Sequence, residues 1–581
     1  MLSAQIFSAL TVSLCLLIDN IVIGSFLGEK AIASYVLANP LLLSIGAIGM
    51  LLSAGVQVVC GKSLGKGLQE ETHAGYSSAI VIGGGISLVF LAAVLLFHPF
   101  LTRAMGAGSE GELYGMTKDY LIGYSIGAPG SMGALVLVPF LQMAGQSNLL
   151  IVGVLSMTVA DVALDLLNVT VFHGGMFGMG LASSLSYYVA MIIVGFYFLS
   201  GRCVFRFSWK RVSLQKMAEL FRSGFPSCFG MAASVILVFA INHILKPIGG
   251  EKALAAFAAI STLGNTANAV TTGTAGVSLT MSGIFFHEED RTALQQLIRL
   301  LCRYAVVLSL AVAVILLVFA PALISLFIPR ADEAQRMAIL GLRLFAAGIF
   351  PCCVCNALRG AYQGTGRILL TEILALLEGA VFPTAVAFLF TRLIGVNGAW
   401  LYFPVGEWLT LVCVGVLIRV KTKKMPWKEG TALLLKDGFG VAPEDLLELD
   451  IHSMQEVTDA AEQAEKFCIA RGVGVKEANH IALCIEERAA NTIQHGFATD
   501  RKHHDLSVRL LKKDASFILR FRDNCSAFDP VHYVPEKKEA ALGLRLMLAF
   551  AEEAHYTYAM NLNNLCIRIA FNPREQATPE A

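Results

Sequence analysis

Three carboxylates lie where a charge is costly. Asp19 stands in LLIDNIVIG, and Asp161 and Asp165 stand in TVADVALDLL. Each belongs to an apolar run of about 20 residues, the length that crosses a hydrocarbon core as a helix. An ionisable side chain inside such a span marks an ion pathway or a proton relay. Asp161 and Asp165 are spaced i and i+4, so one helix face carries both. Two carboxylates that close in a low dielectric resist being charged together. A proton taken up on one side and released on the other would relieve them. So would Na⁺, a hard cation suited to carboxylate, Asn and Ser oxygens. A second set of polar residues, His243, Glu378 (in ILALLEGAVFP) and Glu407, lies in later apolar runs. Near the C-terminus, Glu487 and Asn491 share a face of an amphipathic stretch, and Asp523 follows the strand-like ASFILRFRDN.

The elements that must hold these groups follow from composition. The 581 residues are 56% hydrophobic and 15% charged, against about 45–50% and 25% in a typical soluble domain. That excludes a wholly soluble enzyme and a disordered chain. The net charge of +1 offers no basic field for nucleic acid. Charge is unevenly spread, because 45 of the 87 Asp, Glu, Lys and Arg fall after residue 420. Before it, apolar runs lie at 3–27, 36–60, 77–99, 119–143, 149–172, 178–200, 223–246, 253–285, 299–328, 337–361, 367–391 and 395–420. They predict an α-helical polytopic membrane protein with twelve spans. The eighth run carries Asn265, Asn268, Thr271, Thr272 and Thr274, which suits a helix facing a cavity rather than lipid.

The halves repeat at an offset of about 222 residues. Phe97-His98-Pro99 matches Phe319-Ala320-Pro321, Pro129 matches Pro351, and Ala144-Gly145-Gln146 matches Thr365-Gly366-Arg367. Six spans are an even number, so the two six-helix repeats are parallel, and a site is expected between them near the midplane. Arg202, Arg206, Lys210, Arg211, Lys216 and Arg222 follow span six, Lys62 and Lys66 follow span two, and Lys421, Lys423 and Lys424 follow span twelve. Positive residues gather on the cytoplasmic side, which predicts a cell-membrane protein with both termini cytoplasmic. The domains are then 1–200 (first lobe), 201–222 (basic connector), 223–420 (second lobe), 421–440 (linker), 441–573 (soluble domain) and 574–581 (tail end).

Residues 444–453, 505–513 and 515–524 alternate as strands, with a further hairpin after residue 555. Residues 454–472 and 475–497 have helical periodicity. The pattern predicts an α/β two-layer sandwich. The chain lacks GxxxxGK[ST], which argues against a P-loop engine. Its thirteen Cys form no disulfide framework and read as buried thiols. The N-terminus has no signal-peptide pattern.

The stretches LLIDNIVIGSFLGEKAIASYVLANPL (17–42), LDLLNVTVFHGGMFGMGLASSLS (164–186) and GIFPCCVCNALRGAYQGTGR (348–367) resemble the multidrug and toxic compound extrusion (MATE) family. The likeness spans residues 1 to about 420. The short polar segment and Pro that precede the family's first helix are absent. The resemblance implies a first-lobe cation site made of Asp19, Asp161, Asp165 and Ser183. Asp161 replaces an Asn and Ser183 a Thr, and the extra carboxylate favours H⁺ over Na⁺. Residues 440–572 resemble the Bergerat ATP-binding fold of histidine kinases and anti-sigma-factor serine kinases. This implies Glu487 as base, Asn491 as the Mg²⁺ ligand, Asp523 on the adenine amino group and Gly543 beside the phosphates. Cys525 stands where that family has the Gly of D-x-G.

The expected function is an ion-coupled (H⁺ or Na⁺) multidrug efflux antiporter working by alternating access. The expected substrates are small and cationic or amphipathic. The C-terminal domain would be regulatory, taking ATP and Mg²⁺ and meeting a cytoplasmic partner protein. Two alternatives are a membrane sensor controlling a serine kinase-like tail and a lipid-linked polysaccharide flippase.

Overall fold

The computed structural model describes residues 2–200, 203–328, 333–425, 430–436, 438–498, 503–533 and 542–571. Arg202 and the end 574–581 lie outside them. The chain forms two compact units, one holding most of residues 1–435 and the other most of 436–581.

The first unit is helical. Its elements are α1 (Leu2–Val22), α2 (Glu29–Gly65), α3 (Gln69–Ala104), α4 (Glu112–Ser125), α5 (Ala128–Met143), α6 (Ser147–Leu167), α7 (Gly175–Leu199), α8 (Leu214–Ala267), α9 (Ala269–His287), α10 (Arg291–Ser325), α11 (Glu333–Phe345), α12 (Ile349–Gly364), α13 (Ile368–Leu376), α14 (Phe382–Ile394), α15 (Val396–Ala399) and α16 (Tyr402–Thr422). Among the described residues, eleven helices are long and apolar enough to cross a membrane, and twelve if the bent pair α4–α5 is one span. α8 is broken at Gly250, where φ is 56°. Its second part runs on through α9 across Asn268, so the eighth apolar run is a broken helix and not one rod. The polar residues expected to line a cavity include the one that marks this break.

The inter-lobe connector is shorter than its sequence suggested, because α8 begins at Leu214 and not at 223. Its backbone is tied to α3. The N–H groups of Arg206, Ser208 and Ser213 donate to His73 Nδ1 (3.4 Å), Ser77 Oγ (3.1 Å) and Ser78 Oγ (3.1 Å). After α16 the chain turns back under the second lobe. Tyr362 Oη donates to the Ala432 carbonyl at 2.6 Å, and the Arg367 guanidinium donates to the carbonyls of Leu433 and Leu434.

Three π-helical turns end or interrupt helices of this unit: Ile23–Leu27 after α1, Asn168–Phe172 after α6 and Leu377–Val381 between α13 and α14. Such turns shift helix phase by one residue and recur at functional sites. Asn168 holds the second in place, accepting from Gly174 N–H at 3.1 Å and donating to the Gly175 carbonyl at 3.0 Å.

The second unit is an antiparallel five-stranded sheet of order β1-β2-β3-β5-β4: β1 (Leu446–Ile451), β2 (Leu506–Lys513), β3 (Ser516–Asp523), β4 (Glu553–Ala559) and β5 (Leu562–Ala570). Period-two alternation buries one face. Val508 stands opposite Phe521, Phe521 opposite Leu565, and Leu519 lies between Leu510 and Ile567. Helices α17 (Met454–Ile469), α18 (Val475–Asn491) and α19 (Leu542–Phe550) cover this face with Val457, Ala464, Ile481, Ile485 and Met547. The last hairpin turns at Met560-Asn561, both with positive φ (55° and 60°). That is the backbone a two-residue hairpin turn requires.

α17 opens with a serine N-cap. Ser453 Oγ accepts from Glu456 N–H at 3.4 Å, while the Glu456 carboxylate accepts from His452 N–H at 2.8 Å. Ser453→Ala is expected to cost the tail about 1 kcal/mol, read as a lower unfolding midpoint of the tail in the full-length protein.

Candidate functional site

The first lobe gathers its carboxylates from two helices. Asp19 lies one turn before the π-helical end of α1, and Asp161 and Asp165 lie in the last two turns of α6, which packs on α1. All three are buried. The Asp19 carboxylate is within side-chain reach of both Asp161 and Asp165. The Asp161 carboxylate also faces the hydroxyl of Ser186 and the thiol of Cys15. Cys15 Sγ in turn meets Thr158 Oγ1 at 3.2 Å. Tyr35 packs edge-on to Tyr120 at 5.4 Å between ring centroids, and Tyr120 stacks on Tyr124 at 6.2 Å, forming an aromatic wall beside the acids.

The polar accounting of this cluster is incomplete. Asp19 Oδ1, Asp161 Oδ1 and both oxygens of Asp165 are buried without a hydrogen-bond partner. Among the described residues no lysine or arginine pairs with any of the three. A buried polar group without a partner costs free energy, and an unpaired buried charge costs far more. Three acids in one apolar site therefore need protons or a bound cation. Ser183 is buried in α7, but its Oγ turns to the Met179 carbonyl of its own helix at 3.4 Å. The hydroxyl facing Asp161 is that of Ser186, three residues on, which also donates to the Ser183 carbonyl at 2.8 Å.

The second lobe has a different balance. Glu378 sits in the π-helical turn between α13 and α14. Arg359 Nη1 of α12 meets its Oε2 at 3.1 Å, and Asn356 Nδ2 donates to its Oε1. Cys352 Sγ lies 3.7 Å from that same oxygen. Glu407 of α16 is buried with Oε2 unpartnered, and one of its oxygens, Cys352 Sγ and a Glu378 oxygen lie within 4.8 Å of one another. Such a trio has the outline of a metal site. Glu378, however, already holds a guanidinium and an amide, and a metal would have to displace both. His243, expected with this set, does not join it. It is exposed on α8 and stacks on Phe239 at 6.4 Å, while Ile241 and Leu245 take the buried face. Arg359 and Asn356 are site residues that sequence reasoning missed. Arg359→Ala is expected to cost about 3–5 kcal/mol, the usual penalty for orphaning a buried charge. Adding Glu378→Gln should recover most of the yield of folded protein, measured by size-exclusion chromatography in detergent.

The MatE family model matches residues 4–167 and again 226–389, together more than half of the chain. The chain belongs to the MatE family. The two matches are offset by 222 residues, the same offset at which the halves repeat in sequence. Several solved structures share the MatE fold. A MATE crystal structure in complex with MaD3S aligns with a TM-score of 0.67 and 19% identity, over 73% of this chain and 95% of that one. An outward-facing multidrug resistance MATE family transporter of the MOP superfamily aligns at 0.65 and 19%, over 71% and 92%. A MOP superfamily transporter from Pyrococcus furiosus aligns at 0.66 and 19%, over 75% and 96%. None of the curated proteins matches the chain.

The MatE lobes meet through glycines. A β-carbon at Gly55 of α2 would overlap the Leu220 carbonyl oxygen of α8, and one at Gly224 would overlap the Leu51 carbonyl oxygen of α2. Gly273 of α9 lies against Ile6 of α1, and Gly276 against Gln5. These contacts join the lobes at the end that carries the connector.

In the tail the expected nucleotide residues do not present an open site. Both oxygens of Asp523 are in use. Arg488 Nη2 meets Oδ2 at 2.9 Å, and Oδ1 accepts from Asn563 Nδ2 at 2.7 Å and Cys525 N–H at 3.2 Å. Gly543 is in the first turn of α19, and the Glu487 carboxylate occupies the space a β-carbon there would fill. Asn491 is half-buried at the end of α18. The carboxylate that the resemblance places at the adenine is paired within the domain, and the glycine that it places at the phosphates faces the Glu487 carboxylate.

Proposed function

We propose that this MatE protein is a cation-coupled efflux antiporter, with protons as the coupling ion and small cationic or amphipathic molecules as cargo. The observation that carries the proposal is the cluster of three buried carboxylates, Asp19, Asp161 and Asp165, without a cationic partner among the described residues. Protonation removes the charges one at a time. A third acid where the resembling family has Asn gives the site a further proton to hold and one fewer neutral oxygen ligand for Na⁺. The second lobe supports the same assignment by contrast, since Glu378 there is neutralised by Arg359. In the proposed cycle the lobes rock about a site between them, and the glycine contact at Gly55 and Gly224 is one closed end of that motion. The protein sits in the cell membrane with the connector side cytoplasmic, following the positive residues of the connector. The tail is then a cytoplasmic module fused to the carrier.

The test is efflux from proteoliposomes under an imposed pH or Na⁺ gradient. Cargo movement that follows the pH gradient, collapses with a protonophore and ignores ATP supports the proposal. Movement that follows only Na⁺ replaces the ion, and movement that needs ATP sinks the antiporter reading.

A further inference from the structure

The tail holds two charged neighbours on α18, and each faces a group that the nucleotide-binding reading had left open. α18 buries Ile481, Ile485 and Arg488, and Thr492 follows in the π-helical turn Thr492–Gly496, a spacing of four, three and four that marks the core face. Arg488 thus stands where the helix would otherwise place an apolar residue, and its side chain is 5% exposed. A buried guanidinium is tolerated only when paired and hydrogen-bonded. Two of its three nitrogens are: Nη2 meets Asp523, and Nη1 donates to Thr492 Oγ1 at 2.6 Å, while Nε is buried without a partner. The Asp523 side chain is 1% exposed. The network continues through Asn563, which donates to the Cys525 and Ser526 carbonyls and accepts from Tyr556 Oη at 2.6 Å. It joins the end of β3 to β5, β4 and α18. One residue earlier, the Glu487 carboxylate packs on Gly543 at the start of α19. The first turn of a helix has free N–H groups and favours a negative group.

We infer that the tail fills its own nucleotide-like cleft, with Arg488 taking the Asp523 carboxylate and Glu487 supplying the anion at Gly543, so that the domain is complete without ATP. The Arg488–Asp523 pair is then a buried internal pair of the domain rather than part of a ligand site. This inference is independent of whether the membrane part moves protons.

The test uses the full-length protein and MgATP, with hydrogen exchange and thermal unfolding followed in peptides from β3, α18 and α19. The expected results are no change in exchange at about 1 mM MgATP, far above a functional affinity for most nucleotide sites, and a loss of about 10 °C in the tail's unfolding midpoint for Asp523→Asn, which strands Arg488 in the core. The double variant Arg488→Met, Asp523→Asn is expected to regain most of that loss, because it removes the stranded charge while Asn keeps the oxygen that accepts from Asn563 and from the Cys525 N–H. MgATP-dependent protection of β3 or α19 in the wild-type protein would overturn the inference. So would an Asp523→Asn tail that unfolds at the wild-type temperature.

Discussion

Asp165→Asn is expected to abolish uphill transport while leaving downhill exchange intact. Both Asp165 oxygens are buried and unpartnered, and the side chain is fully enclosed. Asn has nearly the same shape but cannot take up or release a proton. The substitution therefore removes the energetic link and spares the packing. One proton moving down a pH gradient of about two units is worth roughly 2.7 kcal/mol, which is about a hundredfold concentration ratio. Accumulation of cargo in proteoliposomes should fall by that factor, to the level set by passive equilibration. Counterflow, in which labelled cargo exchanges for unlabelled cargo without a gradient, should stay within about twofold of wild type. The contrast separates lost coupling from lost folding. Asp19→Asn is expected to behave the same way, since Asp19 reaches both acids of α6. If Asp165→Asn keeps gradient-driven accumulation, the first-lobe cluster is not the coupling site.

Much of this site was legible because the signal is local. A carboxylate in a long apolar run is rare and stands out without knowledge of its neighbours, as Asp19, Asp161 and Asp165 did. The twelve runs were legible for the same reason, because hydropathy adds up along the chain. The internal offset was legible from a few prolines and turns. What failed depended on helix phase or on a partner far away. His243 lies in a run that is apolar on all sides, so nothing in the sequence shows which face points inward. The structure gives that face to Ile241 and Leu245. Ser183 and Ser186 lie in the same small-residue stretch, and only the packing of α7 shows that Ser186 meets Asp161. Arg359 lies near the end of an apolar run, and nothing local shows that it pairs with Glu378 nineteen residues later. In the tail the strand and helix boundaries were close because alternation is strong there. The pairing of Asp523 was not legible because its partner, Arg488, belongs to a different element. The signal was nonetheless present: Arg488 continues the spacing of Ile481 and Ile485 on the buried face of α18.

Gly224→Leu is expected to stop transport by preventing closure at the connector end. Even a methyl group at Gly224 would overlap the Leu51 carbonyl oxygen, and one at Gly55 would overlap the Leu220 carbonyl oxygen. The obstacle on each side is backbone, which cannot swing aside as a side chain would. α2 belongs to the first lobe and α8 to the second, so added volume acts on the lobe–lobe distance and not on the core of either lobe. Overpacking of this kind costs about 1–3 kcal/mol. In a two-state cycle the cost falls on the state in which the helices touch, and it shifts the populations roughly 5- to 150-fold toward the other state. Gly224→Ala should show a smaller effect in the same direction. Gly84 provides the control. It is an exposed glycine of α3 with open space around it, so Gly84→Leu should transport normally. The measurement pairs efflux with thiol labelling of a cysteine placed at Ser227, on α8 below the crossing, in a background without reactive thiols. Faster labelling together with lost efflux in Gly224→Leu is the result expected of a wedged gate. Lost efflux with unchanged labelling would place the damage elsewhere, and wild-type efflux would show that the lobes need not meet at these glycines.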